Sequence, residues 1–239
     1  MLNSMQDSES INSKQRQTRD MFNRIADTYD PLNHGLSLGI DTIWRKKAIN
    51  IMKIDNKSVV LDVATGTGDI AILALKKNAA TVVGIDPAFE MVRKTNQKIT
   101  AYSGKFHAIE GFGEYLPLKS DFFSHVLISY GIRNVSERNL ALSEFYRVLK
   151  KNGKLGILEF SKSGLPFFQT IYNVYFRYIL TCVGGLISGD REAYEYLPES
   201  VSQFPSHEDF IAECLRAGFK LVRFSSGFLG ISTFYEFQK

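Results

Sequence analysis

Residues 61–71 read LDVATGTGDIA, and the fold follows from what this stretch makes the chain do. The run SVVLDV (58–63) brings a short β-branched strand to its end near Asp62. Gly66 and Gly68 then permit a tight turn with its backbone open to a ligand. An apolar helical pattern starts at Asp69 and continues to about Asn78. A strand that passes through a glycine turn into a helix is the first unit of a parallel sheet with crossover helices.

Moving outward, the unit recurs. TVVGID (81–86), HVLISY (125–130) and KLGILEF (154–160) are further short apolar runs, separated by segments long enough for crossovers. The spacing predicts helices over Ala88–Thr100, over Ser136–Lys150 with Ser136 as its cap, and over Ser206–Ala217 ahead of Gly218. KLVRFSS and ISTFYEF near the C-terminus read as an antiparallel hairpin at the sheet's edge. The class is therefore α/β, a mostly parallel sheet with helices on both faces. No internal repeat interrupts it.

The 239 residues, 44% hydrophobic and 23% charged, suit one domain with an elaboration. A net charge of +4 without any block of like charges gives no nucleic-acid footprint, while a mild attraction to anionic membrane surfaces stays open. Cys182 and Cys214 stand apart without metal or disulfide spacing. The polar start, residues 1–17, reads as a flexible tail that enters a helix near Thr18. The segment YDPLNHGLSLGIDTIW (29–44) holds the only tryptophan, and Pro31, Asn33, Gly35 and Gly39 break both periods, so an irregular covering segment is predicted. Leu165–Ser188 is nearly long enough to cross a bilayer. Gln169, Asn173 and Arg177 share one face of it, which favours a helix packed on one side or lying at a membrane interface.

The chemistry sits at the glycine turn. Gly66, Gly68 and Ala71 satisfy the GxGxxA form of a dinucleotide fingerprint, and Asp86 ends the next strand where a carboxylate can take ribose hydroxyls. Asp62 and Asp69 flank that turn and would repel a pyrophosphate. The ammonium and sulfonium of S-adenosylmethionine would be attracted instead. A nicotinamide oxidoreductase remains the rival reading. The histidines at 34, 107, 125 and 207 show no ligand spacing, and no metal is expected.

Four ordered motifs resemble the class I, S-adenosylmethionine-dependent C-methyltransferases of ubiquinone and menaquinone biosynthesis. The family's opening pattern is met by Phe22, Ile25, Ala26, Tyr29, Asp30, Asn33, Leu36, Ser37, Gly39 and Trp44; GIRNV (131–135), RVLKKNGKLGILEFSK (147–162) and YEYLPESVSQFP (194–205) follow. The resemblance implies a Rossmann-like, seven-stranded class I methyltransferase domain over 18–239, with a lid at 18–50 and a substrate cover inserted at 161–205. It places Thr67, Asp86, Phe112, Gly113 and Ser129 against the cofactor beside Asp62, Gly66 and Gly68, and Tyr29, Arg133 and Asn134 at the reacting centre. The implied substrate is a reduced, prenylated quinone: demethylmenaquinol, or a 2-polyprenyl-6-methoxy-benzoquinol. It also implies a cytoplasmic protein and allows a peripheral contact with the membrane and a homodimer. Phe112 stands where many relatives are polar, and three departures stand out: Asp41 for the family's histidine, KNG for PGG at 151–153, and GFLGI (227–231) for the C-terminal LTxGI. They keep open an inactive, cofactor-binding subunit.

Overall fold

The computed structural model describes residues 2–37, 39–102, 104–161, 181–227 and 230–239, with side chains from residue 13 onward, Val183 apart. Three helices lead: α1 (Leu2–Ile25), α2 (Tyr29–Leu36) and α3 (Ile40–Met52). Then follow β1 (Val59–Val63), α4 (Asp69–Lys76), β2 (Thr81–Asp86), α5 (Phe89–Lys98), β3 (Phe106–Glu110), β4 (Phe123–Ser129), α6 (Arg138–Val148) and β5 (Leu149–Phe160). Beyond residue 180 come α7 (Thr181–Ser188), α8 (Arg191–Gln203), α9 (His207–Arg216), β6 (Lys220–Ser226) and β7 (Ser232–Gln238).

The seven strands lie in the order β3-β2-β1-β4-β5-β7-β6. The first five run parallel, and β7 is antiparallel to both of its neighbours. This is the predicted mostly parallel sheet with a C-terminal antiparallel hairpin. Alternation along each strand divides the core. Val60, Val82, Leu127 and Phe234 face α3 and α4, while Leu61, Val83, Val126 and Tyr235 face α6 and α9. Helices on both faces leave the carboxyl ends of β1, β2 and β4 as the place where a ligand can enter.

Several local expectations need correction. The first seventeen residues, predicted as a flexible tail, are helical from Leu2; residues 2–25 contain neither glycine nor proline to stop the helix. The stretch predicted as irregular forms two helices. Pro31 falls in the first turn of α2, where its missing N–H has no intrahelical partner to lose, and Gly39 caps α3 at φ +75°. Ser136 is not the cap of α6, which starts after Glu137. The edge strand β3 escaped notice because FHAIE mixes exposed His107 and Glu110 with three half-buried residues and shows no apolar alternation. Of the predicted helix Leu165–Ser188, residues 165–180 lie outside the described residues and the remainder is α7. Among the described residues no helix is long and apolar enough to cross a membrane.

The cover motif YEYLPES forms most of α8. Pro198 lies inside that helix, and the Tyr194 carbonyl four residues back is met by Thr181 Oγ1 at 3.3 Å. At Gly184 a Cβ would sit 2.3 Å from the Tyr194 ring, so α7 and α8 approach closely.

Trp44 is buried against the second core layer, and its indole occupies the space that any side chain at Gly227 would need. Gly227→Ala should therefore destabilise the fold by about 1–3 kcal/mol through overpacking. Urea unfolding followed by the emission of Trp44, the chain's only tryptophan, would read both the lowered midpoint and a native spectrum shifted to the red.

Candidate active site

The cleft at the strands' carboxyl ends is roofed by α1 and α2 and encloses about 740 Å³, its open mouth included. Of the residues singled out from sequence, Tyr29, Gly66, Asp86, Phe112, Gly113, Ser129 and Asn134 line it. Asp62, Thr67, Gly68 and Arg133 stand behind this lining and act on it.

Backbone geometry builds the floor. Gly66 has φ +56° and Gly68, the cap of α4, has φ +89°. A Cβ at Gly68 would meet Thr95 Cγ2 at 2.7 Å, so the turn is glycine for close packing as well as for conformation. Ala64 and Tyr130 also adopt positive φ at the ends of β1 and β4, and both line the cleft. Strain of this kind concentrates where a backbone must present itself to a ligand.

Two acids hold the turn. Asp62, 1% exposed, accepts from Thr65 Oγ1 at 2.6 Å and from the Ala71 amide at 3.1 Å. Asp86, 6% exposed, accepts from the Gly66 and Ala88 amides, each at 2.9 Å. Burial disfavours both charges and outweighs these hydrogen bonds: Asp62 is pushed up to about 7 and Asp86 to about 6.

A band of charge fastens the lid to this floor. The Thr67 hydroxyl donates to Asp30 of α2, so that side chain is committed to the lid rather than to the cleft. Lys98 of α5 pairs with Asp30 and lies 3.6 Å from Asp69. Arg45 pairs with Asp41 and lies 3.8 Å from Asp69. Burial works against an ionised Asp41, but bonds from Ser37 and Arg45 hold its carboxyl below the usual range. Spacing had shown no ligand cluster around the histidines, yet Asp30, His34 and Asp69 converge with their ligand atoms within 4.8 Å. Lys98 and Arg45 already stand among these acids. His125 is a structural histidine, hydrogen-bonded to the Met52 carbonyl at 3.1 Å.

At the other end, a 3-10 turn from Ile132 to Asn134 follows β4. The Arg133 side chain, 7% exposed, donates to Glu159 Oε1 at 2.8 Å, to Ser200 Oγ at 3.3 Å and to the Tyr130 carbonyl. Burial lowers the guanidinium's pKa, but the Glu159 carboxylate together with the Tyr29 and Tyr196 phenols outweighs it, so the net direction is up. Asn134 Oδ1 accepts from the Tyr196 hydroxyl at 3.0 Å, which ties this turn to α8. Tyr29 packs edge-on against Phe22 and lies within electrostatic reach of Arg45 and Arg133. Burial raises its pKa, and the two cations only partly oppose that, so the phenol keeps its proton at neutral pH.

Sequence reasoning assigned no role to Glu159, although it quoted the LEFSK motif that contains it. The available signal was an acid one residue from the end of the apolar run LGILEF, the same position type as Asp62 in β1. α1 was expected only from about Thr18; it begins at Leu2, and besides Thr18, Arg19 and Phe22 it supplies Gln15 to the cleft.

The residues present fit S-adenosylmethionine. Each Asp86 oxygen accepts one amide and keeps a lone pair for a ribose hydroxyl. Ser129 Oγ is buried without a hydrogen-bond partner among the described residues. Above Gly66 the space that a Cβ would enter is open, so a ligand can lie directly on the backbone.

A model of the ubiE/COQ5 methyltransferase family matches residues 10–238. The chain belongs to that family. The ubiquinone/menaquinone biosynthesis C-methyltransferase UbiE of Geotalea daltonii is 41% identical over 233 residues, 96% of this chain and 99% of that one. The protein of the same name from Campylobacter jejuni is 41% identical over 238 residues, covering 95% and 99%. Among solved structures, a SAM-dependent methyltransferase from Thermotoga maritima superposes with a TM-score of 0.65 at 19% identity, covering 92% of this chain and 99% of that one. The [4+2]-cyclase SpnF superposes at 0.69 with 15% identity, covering 94% and 95%. At such identities the likeness is of fold alone. The family member described here is an S-adenosylmethionine-dependent C-methyltransferase. The nicotinamide and inactive-subunit readings are set aside.

The raised acids give a pH signature. Between about pH 4 and pH 7 the folded protein without cofactor holds protons on Asp62 and Asp86 that the unfolded chain has released, so this contribution to stability falls as pH rises through that window. Asp62→Asn removes one of the two groups. In urea melts of cofactor-free protein at pH 5 and pH 7.5, the variant should gain on the wild type as pH rises; a constant difference would refute the raised Asp62.

Proposed function

We propose that the protein methylates the ring carbon of a reduced, prenylated quinone, with demethylmenaquinol as the acceptor. S-adenosylmethionine supplies an electrophilic methyl group when bound. The net change replaces a ring C–H by C–CH₃ and releases one proton. The chain's own task is to make that carbon nucleophilic, which requires an adjacent hydroxyl to give up its proton, wholly or through a hydrogen bond.

The observation that supports the reading is that Tyr29 and Asn134 line the cleft that contains Asp86 and Ser129, with the Arg133 guanidinium directly behind that lining and within electrostatic reach of Tyr29. Arg133 is a fixed cation held by Glu159 and lowers the cost of negative charge on the quinol oxygen. Tyr29, protonated at neutral pH, donates to that oxygen and does not act as a phenolate base. Asn134, oriented by Tyr196, holds the second hydroxyl. Asp86 and Ser129 hold the ribose and the polar part of the cofactor, and Gly66 gives it a backbone floor.

A naphthoquinol is preferred to a methoxybenzoquinol because of an apolar cluster that reaches the cleft through Phe22, Tyr29 and Met91. Phe22, Tyr29, Tyr194, Tyr196, Leu197 and Phe160 form an aromatic and aliphatic cluster beside the site. A second fused ring gains from such a wall, at about 25 cal/mol per Å² buried. A methoxy oxygen would require a polar partner. The names of the relatives cover both substrates. A polyprenyl tail keeps either substrate in a bilayer, so the protein meets it at a membrane surface.

The deciding assay incubates the protein with labelled S-adenosylmethionine and each reduced precursor, followed by identification of the methylated lipid. Transfer to demethylmenaquinol alone is expected. Transfer to the benzoquinol alone would reverse the preference, and transfer to neither would sink the reading.

Arg133 can be tested apart from stability. Arg133→Met leaves Glu159 buried and unpaired, which costs about 3–5 kcal/mol, and it should lower kcat about 10²- to 10³-fold. Adding Glu159→Gln should restore the melting temperature but not turnover. Recovery of turnover with stability would mean that the arginine is only structural.

A further inference from the structure

Next to Asp86 the cleft turns apolar. The Gly111 amide donates to the Asp86 carbonyl at 3.0 Å, which sets the segment from Gly111 to Glu114 beside that acid. Pro87, Met91 and Phe112 line the walls there. A flat heteroaromatic base suits this end, because the other end holds Tyr29 with the Arg133–Glu159 pair behind it. Phe112 can stack on a base but cannot hydrogen-bond to its edge.

The first helix supplies what Phe112 lacks. Gln15 of α1 lines the same cleft, and its Nε2 donates to Glu114 Oε1 at 3.1 Å. Glu114 is 3% exposed, and the same oxygen accepts from the Ser136 amide at 3.1 Å. A carboxylate only accepts, so the contact fixes which way the Gln15 amide points. Its NH₂ faces Glu114, and its carbonyl oxygen is available to a donor from the ligand.

We propose that Gln15 Oε1 accepts a hydrogen bond from the 6-amino group of the cofactor's adenine, which makes α1 the element that reads the purine. The inference depends on the cofactor and is independent of which quinol receives the methyl group. It gives the N-terminal helix a role in specificity that the glycine turn cannot supply, since the turn contacts only the parts of the cofactor that every nucleoside shares.

The test is calorimetry on the full-length protein with S-adenosylhomocysteine and with its analogue carrying hydrogen in place of the 6-amino group. The wild type should prefer the amino-bearing ligand about tenfold, the effect of one hydrogen bond with a buried partner. In Gln15→Met that preference should shrink to about twofold or less, with affinity for the deaminated analogue nearly unchanged. Methionine matches glutamine in length and helix propensity, so α1 should persist. A preference that survives Gln15→Met would assign the amino group elsewhere and overturn the proposal, as would equal weakening of both ligands. Failure of the wild type to bind S-adenosylhomocysteine at all would overturn the cofactor assignment, and this proposal with it.

Discussion

Two buried carboxylates set the terms for everything around them. Asp62 and Asp86 end adjacent parallel strands, and each accepts a backbone amide from the connection after β1, Ala71 in one case and Gly66 in the other. The turn keeps its shape because the acids are there, and the acids are costly because they are buried. A cation laid on this turn favours their ionised forms, whereas a pyrophosphate would oppose them. The preference for a sulfonium cofactor over a dinucleotide thus follows from the same hydrogen bonds that shape the loop.

The lid is attached to that floor by polar contacts and to the body by apolar ones. Asp30, Lys98, Asp69, Arg45 and Asp41 link α2, α5, α4 and α3 around the glycine turn. Lys98 and Asp69 are partly solvated, at 32% and 26% side-chain exposure, so their pairing adds little to stability and mainly fixes position. Met21, Ile25, Leu32, Met91 and Tyr194 form the apolar counterpart, joining α1, α2, α5 and α8 in one small cluster. A cover held in this way can open for a bulky substrate without unfolding the sheet behind it.

The legibility of the chain follows the range of the interactions involved. β1, the glycine turn and α4 are local, and the residues that form them are contiguous, so they could be read directly. Asp86 was found because the crossover unit fixes its distance from Gly66. β3 was missed since an edge strand need not alternate, and the part of α1 before Thr18 was missed since its partners are not in its own sequence. Glu159 and Gln15 acquire meaning only from partners 26 and 99 residues away, Arg133 and Glu114. No single-sequence period records such pairs. Thr67 shows the converse: its place in the turn was legible, but its engagement with Asp30 was not.

Asp41 shows how a buried acid is accommodated beside the glycine turn. The resemblance leads one to expect histidine at this position; the chain has a buried acid, whose charge is answered by Arg45, Ser37 and His34. Arg45 in turn lies 5.1 Å from the centre of the Tyr130 ring, at the strained end of β4. An imidazole, His34, is thus still present in the band, seven residues earlier in sequence and in contact with Asp41. The fold itself is indifferent to such exchanges, since a [4+2]-cyclase shares it. α1 and α2 bring side chains over the cleft, and Asp41, through His34, Ser37 and Arg45, ties α2 to α3 beside it.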